Sequence, residues 1–132
     1  MISSLECLIH SIDLYMAEQQ ATGTYGENKA ASFLAAKGYT ILKRNWRHAN
    51  WEIDIIAEKN GILHFVEVKT RRTSTYGYPE EDVSKKKFKH LVYAAEEFLI
   101  QSPGWKRIQF DIISITLSKG EPEFFFIQDV YL

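Results

Sequence analysis

Two carboxylates and an ammonium stand close together in one short stretch of the chain: Asp54, Glu67 and Lys69. Asn60-Gly61 lies between Asp54 and Glu67, and that dipeptide is the strongest short hairpin signal a sequence offers. A two-residue turn there pairs Lys59 with Ile62. Counting outward puts Ile56 opposite Phe65, Asp54 opposite Glu67, and Glu52 opposite Lys69. Side chains alternate along a strand, so these pairs share one face, and Ile53, Ile55, Val66 and Val68 make the other. Carboxylates directly across a sheet repel. Among apolar neighbours, either one takes up a proton or a cation sits between them. A hard ion such as Mg2+ prefers one or two carboxylates completed by water and substrate phosphate. Lys69 would then orient an attacking water or stabilise negative charge developing on a phosphate. A buried salt-bridge cluster of Glu52, Asp54, Glu67 and Lys69 accounts for the same pattern without any catalysis. A three-residue turn would shift every pair.

The elements that must position these groups follow from periodicity. Residues 2–16 place apolar side chains at spacings of three and four, an amphipathic helix. The polar and small residues 19–23 are expected to break it. A second helix is expected from Thr24, with Thr24 and Glu27 as a capping box and Gly38 at its C-terminal end. Strands are expected at Tyr39–Lys43, Trp51–Ala57 and Ile62–Lys69, then a mobile loop over residues 71–82. Ser84 caps a long helix to about Gln101, with Phe88, Leu91, Val92, Ala95, Phe98 and Leu99 facing inward. Two more strands follow, Arg107–Thr116 and Glu123–Val130. The long helix serves as a crossover, so the expected fold class is α/β or α+β with helices on a mixed sheet. We divide the chain into an extension over residues 1–20 and a single domain over residues 21–132.

Whole-chain composition is less informative. The 132 residues are 45% hydrophobic with a formal net charge of -1, which fits one globular domain and does not advertise nucleic-acid binding. No apolar run is long enough to span a membrane, no secretory signal stands out, and Cys7 alone makes neither a disulfide nor a thiolate zinc site. The basic residues nevertheless cluster. Lys43, Arg44 and Arg47, then Lys69, Arg71 and Arg72, then Lys85, Lys86, Lys87 and Lys89 together hold 10 of the 16. Lysines at a helix N-terminus oppose its dipole, whereas a bound phosphate would favour them. Local neutralisation by Glu80, Glu81 and Asp82 is the competing account, and we favour phosphate contacts for Arg71 and Lys87. Trp46 and His48 are candidates for contacting a nucleic acid, with packing the expected role of Trp46. His10, His48, His64 and His90 show no metal-ligand spacing. Asp111, inside an apolar strand, either supports the site or holds a structural hydrogen bond. Phe124-Phe125-Phe126 would offer a dimer surface if one face were exposed.

Asp54 followed by Glu67-Val68-Lys69 resembles the PD-(D/E)xK nuclease signature. The wider set is similar to the YraN-type family of bacterial proteins: Tyr25-Gly26-Glu27 with Ala30, Lys37-Gly38-Tyr39, Arg44-Asn45-Trp46-Arg47, Glu52-Ile53-Asp54-Ile55-Ile56, Phe65 to Arg71, Val83-Ser84 with Lys87, and Phe110-Asp111. The resemblance implies a restriction-endonuclease-like three-layer α/β fold, similar to archaeal Holliday-junction resolvases. It is expected as a mixed five-stranded sheet flanked by helices, with an extra N-terminal helix. It implies Mg2+, or Mn2+, on Asp54 and Glu67, with Lys69 activating water for phosphodiester hydrolysis. It also implies a further glutamate, Glu27, reaching toward the metal, for which helix capping is the alternative role. Arg44, Arg47, Arg71, Arg72, Lys86 and Lys87 are the candidate nucleic-acid contacts, and Glu52 and Asp111 the supporting carboxylates. The chain departs from the family pattern at Trp51, where glycine is usual, and at Gln109, where arginine is usual. DNA, branched or single-stranded, is the expected substrate, with RNA an alternative, no membrane, and a cytoplasmic location in a bacterium. A resolvase-like activity would need a homodimer to cut two strands symmetrically. The rival readings are a nuclease fold that binds nucleic acid without cutting it, and an adaptor docking a protein partner through its first helix.

Overall fold

The computed structural model describes residues 3–72 and 84–131. Its elements are α1 (Ser4–Ala36), β1 (Thr40–His48), β2 (Trp51–Lys59), β3 (Ile62–Arg71), α2 (Lys85–Gln101), β4 (Ile108–Thr116) and β5 (Glu123–Ile127). The five strands form one mixed sheet in the order β1-β2-β3-β4-β5. Only β3 and β4 run parallel, and α2 lies between them in the chain as the crossover expected of a parallel pair. Helices cover both faces, giving the three-layer α/β arrangement of a restriction-endonuclease-like fold. On one face Phe88, Leu91, Ala95 and Phe98 of α2 pack on Ile53, Ile56, Leu63, Phe65 and Ile112. On the other, Ala30 and Leu34 of α1 pack on Ile55, Ala57, Val66, Ile113 and Ile115.

The first helix departs from the expected pair. Residues 4–36 form one continuous 33-residue helix, without a break at 19–23. Gln and Ala are good helix formers, Gly23 costs only about 1 kcal/mol, and no proline intervenes. The capping box is therefore at Ser3 and Glu6, where each side chain bonds the other's backbone N–H. Thr24 and Glu27 lie inside the helix, so Glu27 caps nothing. Among the described residues, the part of α1 that reaches the core is its C-terminal part, through Gly26, Ala30 and Leu34. Leu5, Leu8, Ile9, Ile12, Tyr15 and Met16 of the expected amphipathic segment are all exposed.

The hairpins set the site's scaffold. Asn60 and Gly61 both have positive φ, 54° and 80°, the conformation a two-residue turn between twisted strands requires. The β2–β3 register is the expected one from Lys59↔Ile62 to Ile55↔Val66. The first strand runs on to His48, beyond the expected end at Lys43, and makes a second tight hairpin with β2 through Ala49 and Asn50. Ala49 takes φ 55°, a left-handed conformation that costs an alanine about 1–2 kcal/mol and leaves little trace in a sequence. One expectation about faces fails. Ile53 belongs to the α2 layer and Ile55 to the α1 layer. Asn45, with φ 51°, stands across from Asp54 between the pairs Arg44↔Ile55 and Trp46↔Ile53, and the alternation of faces reverses there. Of the loop expected over 71–82, Arg71 closes β3, and residues 73–83 lie outside the described residues. Phe124 and Phe126 pack around Phe33, leaving Phe125 exposed. Among the described residues no helix is long and apolar enough to cross a membrane.

Candidate active site

The β2–β3 ladder stops short of Asp54 and Glu67. Beyond Ile55↔Val66, β2 stays paired with β1, whereas β3 continues on β4 as far as Arg71↔Thr116. The two strands part where the acidic residues stand. In the gap the Val68 N–H donates to Asp54 Oδ2 at 2.8 Å. Two clefts open on either side of this fork and share Asp54, Glu67 and Lys87. One, of about 210 Å³, is bounded by Glu27 of α1 together with Lys69 and Thr70 of β3. The other, of about 190 Å³, runs toward Trp51 and His90.

Gly26 brings α1 into this arrangement. A Cβ at that position would lie 1.7 Å from Thr70 Oγ1, so only glycine lets the helix approach β3 this closely. The next residue, Glu27, is thereby delivered to the cleft that holds Asp54, Glu67 and Lys69.

The electrostatics follow from crowding. Burial, then the neighbouring Glu67, push Asp54 up to about 8, with Glu27 and Glu52 adding to the effect and the Val68 hydrogen bond opposing it. Glu67 is buried, and its Oε1 accepts from Lys87 Nζ at 2.7 Å. Burial works to lower the Lys87 ammonium. The hydrogen bond and charge of Glu67, helped by Asp54 and Glu52, outweigh it and raise Lys87. Lys87 enters from the first turn of α2, which Ser84 caps through the Lys87 N–H. Sequence reasoning placed Lys87 among the phosphate contacts and missed its bond to Glu67. The pairing depends on how α2 docks on the sheet, and its only local signal is a lysine in the first turn of a helix whose dipole disfavours it.

The other candidates are distributed around the fork. Arg47 reaches Glu52 at 3.4 Å on the rim. Arg44 donates to Asn28 at 2.7 Å, and Arg72 binds Glu18 and Thr22 on α1 at 2.9 and 3.0 Å. Arg71 Nε donates to Thr116 at 3.4 Å. Lys86 is exposed on α2. Asp111 is not brought to the clefts. It is fully buried and joined to His64 Nδ1 at 2.6 Å, the Gln109 side chain at 2.9 Å and the Asp129 N–H at 3.0 Å. Gln109, which stands where the family usually has arginine, thus supplies Asp111 with a hydrogen bond.

Among the described residues no three His, Cys, Asp or Glu side chains converge as a self-sufficient metal nest. Asp54 and Glu67 instead have the form of a two-carboxylate site for a hard cation, with water and substrate oxygens completing the shell. Their mutual repulsion, visible in the raised Asp54, is what such a cation would relieve.

A family model described as "Uncharacterised protein family UPF0102" matches residues 26–115. Similar curated proteins include a UPF0102 protein of Chloroherpeton thalassium, 42% identical over a match covering 84% of this chain and 93% of that one. Another, from Flavobacterium psychrophilum, is 40% identical and covers 88% and 98%. A third, from Persephonella marina, is 45% identical and covers 70% and 81%. The matched span contains Glu27, Asp54, Glu67, Lys69, Lys87 and Asp111.

Proposed function

The chain belongs to the uncharacterised protein family UPF0102, the YraN family, and from that premise we propose that it is a metal-dependent nuclease hydrolysing phosphodiester bonds of DNA. One observation carries the reading: a raised Asp54 and a buried Glu67 share a cleft with two ammonium side chains, Lys69 and Lys87. Asp54 and Glu67 would hold Mg2+, or Mn2+, which when bound supplies charge neutralisation at a phosphate and a more acidic water. Lys69 orients the attacking water. As the water oxygen bonds to phosphorus it gives up a proton to solvent, the ester P–O bond breaks, and the leaving alkoxide takes up a proton from solvent. Lys87 offsets the negative charge that Glu67 would otherwise turn toward the phosphate. Glu27 stands on the α1 side of the same cleft, within the set that would support the ion. A cytoplasmic location in a bacterium, beside its DNA, goes with this reading.

The test is cleavage of linear, single-stranded, flapped and four-way-junction DNA with Mg2+ or Mn2+. Asp54→Ala, Glu67→Ala and Lys69→Ala should each abolish cutting, and cutting that survives all three overturns the assignment. The Lys87–Glu67 contact already neutralises one carboxylate without a metal, which favours a second reading, a nuclease fold that binds without cutting. Binding that persists across metals and substrates with no cleavage would select it.

A further inference from the structure

The cleft on the α2 side of the fork changes character along its length. At one end stand Glu67 and Lys87, suited to a cation and a phosphate. At the other stand Asn50, Trp51, His90 and Leu91. Trp51 is half-buried, packs against the α2 core, and is tilted over Tyr93 with ring centroids 5.3 Å apart. Lys89 lies 5.8 Å from the Tyr93 ring, so a cation flanks this aromatic pair. The backbone holds Trp51 in place as well, because it pairs with His48 across the tight Ala49-Asn50 turn. The result is a fixed indole on the wall of a cleft whose other end carries the phosphate chemistry.

We propose that Trp51 forms a stacking subsite for the nucleobase next to the scissile phosphate, and that the preferred substrate therefore has an unpaired nucleotide there: a single strand or a flap rather than an intact duplex. The inference rests on the nuclease reading above and deepens it by naming the substrate class. A base inside a duplex has both faces covered by its neighbours and cannot reach an indole without leaving the stack. An unpaired base is free to stack, and aromatic platforms accept any base because every base has a π-face. The Asn50 amide and His90 imidazole at the same end supply hydrogen-bonding edges beside the ring.

The test measures binding of a labelled short oligothymidylate and of a blunt duplex to the full chain carrying Asp54→Asn, which keeps the probes intact. Adding Trp51→Ala should weaken single-strand binding about 5- to 150-fold, the range seen when a base-stacking aromatic is removed. Duplex binding should change less than about twofold, and Trp51→Phe should retain most of the single-strand affinity. Thermal midpoints monitor the fold, because Trp51 also packs. A scan with single abasic sites decides independently of any Trp51 variant: one position in the strand should reproduce the loss, and that position should cost nothing further in the Trp51→Ala chain. Equal losses on both probes, or a strand with no sensitive position, overturn the subsite while leaving nuclease function intact. If neither the parent chain nor the Asp54→Asn chain binds either probe, and the parent cuts neither, the nuclease reading falls and the subsite with it.

Discussion

Asp54 is the residue at which the proposed chemistry and the stability of the fold oppose one another. Its carboxyl ordinarily titrates at 3.8, and in the folded chain it is pushed up to about 8 by burial and by Glu67. The folded state therefore binds a proton that the unfolded chain has released. That contribution is complete below about 3.8 and is lost as pH rises through about 8. Asp54→Asn, which keeps the shape without the charge, should stabilise the chain, least below pH 4 and increasingly up to pH 8. Urea unfolding across that range in a metal chelator checks it, and a gap that does not widen with pH contradicts it. Lys87 makes a complementary case. Its side chain is 47% exposed while that of Glu67 is 7% exposed, so solvent screens the pair and Lys87→Gln should cost only about 0.5–1 kcal/mol of stability. Its effect on cleavage should be far larger, about 100-fold, the scale of losing one electrostatic stabiliser of the reacting charge. Parallel unfolding and cleavage measurements separate the two effects. At this scale the hairpin was legible as far as Ile55↔Val66 because register is local arithmetic. The expected pairs Asp54 opposite Glu67 and Glu52 opposite Lys69 do not form, because β2 and β3 part before them. The bond from Lys87 to Glu67 was not legible, because it joins a helix to a strand across tertiary space. The side of the sheet on which Ile53 lies was not legible either: Ile53 and Ile55 fall in different layers, beside the left-handed Asn45 of the neighbouring strand.

At the scale of the elements, α1 is two things in one helix of about 50 Å. Its second half is a structural wall, with Leu34 fully buried and Gly26 pressed against Thr70. Among the described residues its first half belongs to no core cluster. Substitutions should divide the same way in urea unfolding. Leu8→Ser and Ile12→Ser, at positions 57% and 47% exposed, should each stay within about 0.5 kcal/mol of the parent. Leu34→Ala should cost about 2–5 kcal/mol. Gly26→Ala is the sharper case because two effects compete. The helix gains about 1 kcal/mol of propensity, but overpacking against Thr70 costs about 1–3 kcal/mol. The net should be a loss of about 1 kcal/mol, accompanied by reduced cleavage because Glu27 is carried away from the fork. A net gain in stability would mean that Thr70 yields freely. β2, β3, β4, β5 and α2 were legible from alternation, turn residues and the Ser84 cap, whereas the second half of β1 and its Ala49-Asn50 turn were not. The unbroken α1 was not, because one glycine in a run of good helix formers weakens a helix without ending it.

Across the whole molecule, a net charge of -1 conceals an uneven distribution. Some cations are spent internally: Arg72 on Glu18, Arg47 on Glu52 and Lys87 on Glu67. Lys85, Lys86 and Lys89 project from the start of α2 and make no ion pair within the described residues. They stand beside the cleft that Lys87 and His90 line. Nucleic-acid binding that released counterions from about three phosphates would give a log–log salt slope of about −2 on single strands. That is shallow, as the proposed single cleft and stacking ring would give in place of a broad basic face. Removing a free cation should flatten the slope, whereas removing one already matched by a carboxylate should barely change it. Lys86→Ala should therefore reduce the slope by about 0.7 and Arg72→Ala by less than half as much. Titrations of a labelled single strand at several salt concentrations, in the Asp54→Asn background, measure both. The opposite order would mean that Arg72 leaves Glu18 to meet the phosphate, and that the strand runs along α1 rather than α2.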